Sequence, residues 1–348
     1  DLLIYRTSMY GGAVSENIVI APAGPEAGEL QVTNGAFGTP IVDISYVNNL
    51  DIIVLDDDGF ASDTDTLTML GTDPDNVGTS GRELITANFT NDGSLAEPLV
   101  VVEDLENLVT PILYRVRDIQ GFDTVNIDAL GGVDFVEVTG RDDGSLEINV
   151  AGGDTLNLPG TADGSDDFVV LPGASDDAGT ALVRTDAATS LTTINFDGTQ
   201  EVQLDGGGGS SLDRVTILGT SADNAVTLVG NAPLTGYAQV DAGPTISFTG
   251  LGTDGSIISL SGNGGDDSFS IEHESNWQIG AVIVDGGAPS AGSDSVEILG
   301  TSGDDDFAYT ASAANAGTMD VTSGGSTTSY LLNDIEQLQI DAKGETDP

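Results

Sequence analysis

Val282-Ile283-Val284-Asp285-Gly286-Gly287, followed at a short remove by Asp294-Ser295-Val296-Glu297-Ile298-Leu299-Gly300-Thr301, sets the reading of the whole chain. A short apolar run ends in aspartate and a polar, Gly-rich gap follows. A second aspartate then opens a segment whose apolar residues alternate with polar ones, the period-two pattern of a half-buried strand. The first element recurs as Ile53-Val54-Leu55-Asp56, Val125-Asn126-Ile127-Asp128, Val202-Gln203-Leu204-Asp205 and Leu338-Gln339-Ile340-Asp341. Including the opening stretch, four of the five have a following partner: Asp56 with Asp65, Asp128 with Asp134, Asp205 with Asp213 and Asp285 with Asp294.

The leading aspartates stand 72, 77, 80 and 56 residues apart along positions 56, 128, 205, 285 and 341, an eroded repeat. Units of this kind bury their apolar faces against neighbours rather than alone. A second junction tightens the pattern. Strands opening at Asp65, Asp134, Asp154, Asp213 and Asp294 reach a glycine six residues on, and in four cases threonine follows, at Thr72, Thr161, Thr220 and Thr301. In three of them an acidic residue lies four after the glycine, at Asp75, Asp223 and Asp304. Glycine supplies the backbone freedom of a tight corner, and Asp or Asn accepts hydrogen bonds from turn amides.

These signals predict an all-β protein, an elongated parallel β-helix or β-solenoid-like repeat; tandem β-sandwich domains are the alternative. Helical spacing is broken throughout by Gly, Asp, Thr and Ser, with Glu103 to Asn107 the one candidate for a short helix or turn. Residues 1–50 hold Tyr5, Tyr10, Phe37 and Tyr46, few acids and no strand-Gly-Thr junction, so they read as a terminal cap or assembly segment. Degenerate repeats are expected over 51–348, at about 51–122, 123–200, 201–280 and 281–348.

Charge restricts function. The 348 residues carry 57 acidic and 8 basic side chains, a net charge of −49, with Lys343 the single lysine. Self-repulsion on that scale opposes compaction and calls for counter-ions. It disfavours nucleic acid and anionic membrane, which require clustered Lys and Arg. Disorder is the competing reading of such acidity, but 39% of residues are hydrophobic and arrive in alternating segments. Cysteine is absent, which removes disulfides and thiolate metal sites. The longest apolar stretch, near Leu99-Val100-Val101-Val102, is far below the ~20 residues of a membrane-spanning helix. A start at Asp1 with no signal peptide reads as a processed chain, and the final strand-plus-Asp as a unit continued by more chain or by a neighbouring subunit.

Recurring carboxylates beside Gly-rich loops, which expose backbone carbonyls, are the ligand chemistry of Ca2+. The candidate ligands are Asp56, Asp58, Asp65, Asp128, Asp134, Asp205, Asp213, Asp223, Asp266, Asp267, Asp285, Asp294, Asp304 and Asp305. Gly262-Asn263-Gly264-Gly265-Asp266-Asp267-Ser268-Phe269 resembles one turn of the Gly/Asp-rich calcium-binding repeats of secreted RTX-type bacterial proteins, which implies calcium within a parallel β-roll. Consecutive nonapeptides of that family are missing here. Gly300-Thr301-Ser302-Gly303-Asp304-Asp305-Asp306-Phe307 and Ile335-Glu336-Gln337-Leu338-Gln339-Ile340-Asp341 resemble the repeat units of large secreted bacterial surface proteins. That resemblance implies an extracellular or cell-surface, adhesive or coat-forming role, with self-assembly or cell-surface glycans as partners. Solvated turns in a salt-adapted protein are the competing explanation of the acids.

Catalysis finds little support. His273 is the only histidine, and there is no HExxH, no GxSxG elbow and no P-loop. A polysaccharide lyase or hydrolase, or a carbohydrate-binding module, is the runner-up, with Tyr114, Arg115 and Arg117 the nearest approach to a cleft. The expected function is therefore an extracellular structural protein of a surface layer, filament or adhesin.

Overall fold

The computed structural model describes residues 2–6, 16–24, 27–34, 40–47, 52–56, 65–71, 83–89, 100–104, 112–116, 122–130, 132–139, 146–162, 164–185, 191–287 and 294–343. Every regular element among them is a β-strand, and the chain divides into two compact units. Unit 1 comprises Asp1–Leu158 with Ala188–Gln200, and unit 2 comprises Pro159–Ala187 with Glu201–Pro348.

Unit 1 is built from two sheets. One is ordered β1 (Leu2–Arg6), β5 (Ile52–Asp56), β9 (Ile112–Val116), β8 (Val100–Asp104), β7 (Glu83–Asn88), β11 (Phe135–Thr139) and β13 (Thr155–Pro159). The other runs β16 (Thr192–Asp197), β12 (Glu147–Ala151), β10 (Phe122–Asp128), β6 (Asp65–Leu70), β2 (Glu16–Gly24), β3 (Ala27–Asn34) and β4 (Pro40–Val47). Consecutive strands β10, β11, β12 and β13 alternate between the sheets, and each pairs in parallel with the strand one coil away. That is β-helix connectivity. Residues 1–50 contribute β1 to β4 and join by the same rule, β1 parallel to β5 and β2 parallel to β6.

Unit 2 repeats the design. Its sheets are β17 (Glu201–Asp205), β21 (Thr245–Thr249), β20 (Thr235–Val240), β19 (Ala225–Ala232), β23 (Ser268–Glu272), β25 (Ser295–Leu299), β29 (Gln337–Asp341), and β26 (Asp305–Ala313), β27 (Ala316–Ser323), β28 (Ser326–Asn333), β24 (Ala281–Asp285), β22 (Ile257–Ser261), β18 (Arg214–Leu218), β14 (Asp167–Pro172), β15 (Gly179–Arg184). The neighbour order β5-β9-β8-β7-β11-β13 in unit 1 is the order β17-β21-β20-β19-β23-β25 in unit 2. The offset is 149 residues from Ile52 to Glu201 and 133 from Phe135 to Ser268. The pairing pattern thus recurs at about twice the spacing of the strand-ending aspartates. Its sequence trace is Asp65-Thr66-Leu67-Thr68-Met69-Leu70-Gly71-Thr72 against Asp213-Arg214-Val215-Thr216-Ile217-Leu218-Gly219-Thr220. Within each pattern a three-stranded antiparallel excursion, β7-β8-β9 or β19-β20-β21, interrupts the parallel stack.

Alternation fixes what faces inward. Strands such as Phe135–Thr139 and Arg214–Leu218 bury every second residue. The register stacks like on like: Val215 and Ile217 on Ile258 and Leu260, then on Val282 and Val284, then on Tyr330 and Leu332, all buried. Each such side chain contributes roughly 1.5–3 kcal/mol on burial, and the parallel register repeats that gain coil after coil. On an outward row of unit 1, Asn195 Nδ2 donates to Asn149 Oδ1 (2.9 Å), Asn149 Nδ2 to Asn126 Oδ1 (2.9 Å) and Asn126 Nδ2 to Thr68 Oγ1 (3.2 Å). Such a ladder forms only when identical amides stack in register. Of the candidate helix at Glu103 to Asn107, Glu103 and Asp104 close strand β8, and the rest lies outside the described residues.

Candidate functional site

The aspartates that end strands and those that open them do different work. Asp128, Asp205, Asp285 and Asp341 each accept through Oδ1 the N–H of the residue two positions on, at 2.9, 2.9, 3.1 and 3.0 Å. The donors, Leu130, Gly207, Gly287 and Lys343, all have left-handed backbone, with φ of 67°, 69°, 91° and 52°. The short carboxylate therefore holds the sharp reversal at the end of the strand, an Asx-turn. In each case the turn engages Oδ1 alone.

Six aspartates at strand starts are buried. Asp134, Asp166, Asp213, Asp267, Asp294 and Asp305 are all 4% exposed or less. Within a coil the carboxylate brackets the Gly-Thr corner behind it. Thr161 donates its N–H and Oγ1 to Asp166 (2.9 and 3.1 Å), Thr301 to Asp305 (2.6 and 3.0 Å), and Thr220 to Asn224 Oδ1 (2.7 and 3.2 Å). The bracket is thus Asn224 and Asp305, one residue beyond Asp223 and Asp304, which are exposed.

Between coils other buried acids accept the backbone N–H that opens the adjacent strand. Asp166 N–H donates to Asp213 Oδ1 (3.0 Å), while Asp213 N–H donates to Ser256 Oγ (3.0 Å) and Gly252 N–H to Asp213 Oδ2 (2.6 Å). A second row runs from Asn224 N–H to Asp267 Oδ1 (2.7 Å), Asp267 N–H to Asp294 Oδ1 (2.7 Å) and Asp294 N–H to Glu336 Oε2 (3.0 Å). Unit 1 has its own row, Asp134 N–H to Asp154 Oδ2 (3.2 Å) and Gln200 Nε2 to Asp154 Oδ1 (2.6 Å). Glycine is required at the corner. A Cβ on Gly206 would lie 2.6 Å from Asp213 Oδ2, and one on Gly286 2.6 Å from Asp294 Oδ2.

Stacked acids perturb one another. Burial raises the pKa of Asp267, a backbone hydrogen bond from Asn224 opposes it, and Asp294, Asp223 and Asp241 add to the rise. Burial likewise raises Asp294, reinforced by Glu336, Asp266 and Asp334 and opposed by the N–H of Asp267. Asp267 Oδ2 is buried without a hydrogen-bond partner. Its corner carries Asn263 at φ 66° where the corners of Asp166, Asn224 and Asp305 carry threonine.

Among the described residues, no group of three or more His, Cys, Asp or Glu side chains converges as a metal cage. The donors on Asp166, Asp213 and Asp305 point hydrogens at the oxygens a cation would need. The exposed acids are more open: Asp223 Oδ1 accepts from Asp266 N–H (2.8 Å) and brings two candidate ligands together across coils. The side chains of Asp56, Asp58 and Asp65 lie outside the described residues, as do those of Tyr114, Arg115 and Arg117. The candidate ligands read from the sequence do not include Asp166, Asn224, Ser256 or Glu336. Their shared signal is position, immediately before a strand.

The outer face of β19, β23, β25 and β29 forms an open groove of about 460 Å³, flanked by Thr227, Ser270, Glu297 and Gln339. His273 is buried and bonds Tyr330 Oη through Nδ1 (2.7 Å). No protein-family model, curated protein or solved structure matches the chain.

Proposed function

We propose that the chain is a structural repeat protein of the cell surface or extracellular space, a scaffold for a layer, filament or adhesin. The observation that carries this reading is the corner chemistry: buried acids recur where they tie either their own turn, as Asp166 and Asp305 do, or the adjacent coil, as Asp213, Asp267 and Asp294 do. Polar residues so committed serve rigidity. The remaining acids leave a chain of net charge −49 that favours an environment rich in cations.

Calcium belongs to this proposal at the exposed turns. Asp128, Asp205 and Asp285 keep Oδ2 outside their turns, and Asp223 with Asp266 spans two coils, beside loops rich in backbone carbonyls. A cation bound only by the folded chain stabilises it in proportion to RT ln(1 + [L]/Kd). Elemental analysis of purified protein, with thermal melts in calcium and in chelator, tests this. Bound calcium and a melting point that falls on chelation are expected, and an unmoved melting point removes calcium. Light scattering in the same two buffers tests self-assembly, which a monomer in calcium at all concentrations would reject.

The groove over Thr227, Ser270, Glu297 and Gln339 favours a second reading, a carbohydrate-binding face, since hydroxyl, carboxylate and amide groups recur at strand spacing. A glycan array against the full chain decides it, and a Glu297→Ala change that left a positive signal intact would place binding elsewhere.

A further inference from the structure

The only histidine and the only tryptophan of the chain lie four residues apart, in the segment 273–280 that leaves β23. Both are buried, His273 at 6% exposure and Trp277 at 1%. His273 donates its backbone N–H to the Leu299 carbonyl of β25 (2.9 Å). Its Nδ1 meets Tyr330 Oη of β28 at 2.7 Å, and its ring stands edge-on to Tyr330 and Trp277 with centroids 6.0 and 6.1 Å away. His273 Nε2 and Trp277 Nε1 are buried and have no hydrogen-bond partner. The charges around the imidazole are few. Asp305 faces it from β26, Glu274 follows it in the segment, and Glu272 at the end of β23 is occupied by Lys343 (3.6 Å).

We propose that segment 273–280 is an acid-released latch, held shut by neutral His273 between Tyr330 and Leu299 and freed by a proton on the imidazole, which uncovers Trp277. The neutral ring fits its surroundings, because Tyr330 can donate to Nδ1 and only one ring nitrogen then carries hydrogen. The imidazolium does not fit. Nε2–H meets no acceptor in either form, but the added Nδ1–H forces the buried phenol hydrogen to turn away from it and places a full charge in an apolar site. Both oxygens of Asp305 already accept from Thr301, so its carboxylate offers attraction but no ready hydrogen bond. Burial accordingly holds the histidine down to about 4 against an ordinary 6.5, with Asp305 pulling weakly the other way. A lowered folded value means the opened form takes the proton first. Opening is therefore favoured as pH falls from about 6.5 towards 4, by up to roughly 300-fold at the acid end.

The single tryptophan is its own reporter. Emission wavelength and acrylamide quenching of the full chain, followed from pH 7.5 to 3.5 beside far-ultraviolet circular dichroism, read the latch apart from global unfolding. The expected result is a red shift and stronger quenching below pH 5, preceding any loss of strand signal. In His273→Gln, which cannot titrate, that change should be absent. Should His273→Gln fail to fold, NMR of the one histidine ring in the natural chain decides: a midpoint near 4 supports the latch. A ring titrating near 6.5, an unshifted tryptophan down to pH 3.5, or identical profiles for the two proteins overturns it.

Discussion

Replacing Asp213 by alanine separates a bracket from a metal ligand. Its carboxylate is fully buried and accepts Asp166 N–H at 3.0 Å, Gly252 N–H at 2.6 Å and Ser211 Oγ at 3.4 Å. Truncation strands two buried backbone donors, each worth about 1–3 kcal/mol when left unpaired. Relief of a buried charge offsets part of that, so a net loss of about 3 kcal/mol is expected. Asp205→Ala is the control, from the same candidate ligand pair. It removes one turn hydrogen bond to Gly207 N–H and should lose only about 0.5–1.5 kcal/mol. Urea denaturation of both variants, in calcium and in chelator, gives the comparison. Amide exchange at Asp166 and Gly252 gives a local readout, because opening of a repeat stack need not be global. The bracket requires a larger loss for Asp213→Ala that chelation leaves unchanged, with faster exchange at both amides. Equal losses for the two variants, or a loss at Asp213 that disappears without calcium, would refute it.

Further outcomes follow from the same corners. Gly206→Ala drives a Cβ to 2.6 Å from Asp213 Oδ2 and 2.9 Å from the Gly250 carbonyl and should lose about 3 kcal/mol, whereas Gly208→Ala, at φ 75° in open space, should lose only about 1 kcal/mol by chemical denaturation. Asn224→Asp replaces the amide that donates to Asp241 Oδ2 (2.7 Å) with a repelling carboxylate, so melts should show a loss at pH 7 that shrinks at pH 4. Asp267 has a folded pKa raised above its ordinary value, so its contribution is most favourable in acid and is lost as pH rises through the folded value. Asp267→Asn, which keeps an acceptor for Asn224 N–H, should therefore gain on the natural protein between pH 4 and pH 7; a constant difference across that range would show that Asp267 does not titrate.

Much of the fold was legible because period-two alternation survives in single segments. Asp134 to Val138 and Asp294 to Leu299 read as strands, and β11 and β25 lie there. The choice of β-helix over sandwich rests on parallel pairing, which no single segment encodes. The repeat length was harder to read. Aspartate marks the end of strands in both sheets, so counting aspartates counts half-patterns, while the strand order recurs only after excursions in each sheet. One excursion turn, Gly324-Gly325 at φ 59° and 89° between β27 and β28, has the Gly-Gly form of a tight hairpin, a signal the aspartate pattern does not use. The corner acids were identified without their role. Asp166 finds its acceptor 47 residues away and Asn224 finds its own 43 away, so composition and local spacing offer a ligand and a bracket in the same letters.

Why aspartate should occupy a buried corner follows from counting donors. A tight turn between two strands leaves backbone N–H groups without a partner in the ladder, and buried ones must find acceptors. In a parallel stack every coil presents the same orphans at the same place. A short side chain with acceptor oxygens meets these demands, for the corner behind it at Asp166 and Asp305 or for the strand start in the adjacent coil at Asp213, Asp267 and Asp294. Asn224 shows the limit of the alternative: its single oxygen takes both donors of Thr220, and its amide nitrogen must be satisfied in turn by Asp241. Burial is the main reason Asp267 and Asp294 resist ionisation, and each carboxylate added this way brings a charge that the next one also feels. A solenoid held by such brackets gains order at its corners while accumulating negative charge along its length. On the proposed function, ions drawn to the exposed acids would act on a frame whose turns are already closed by hydrogen bonds.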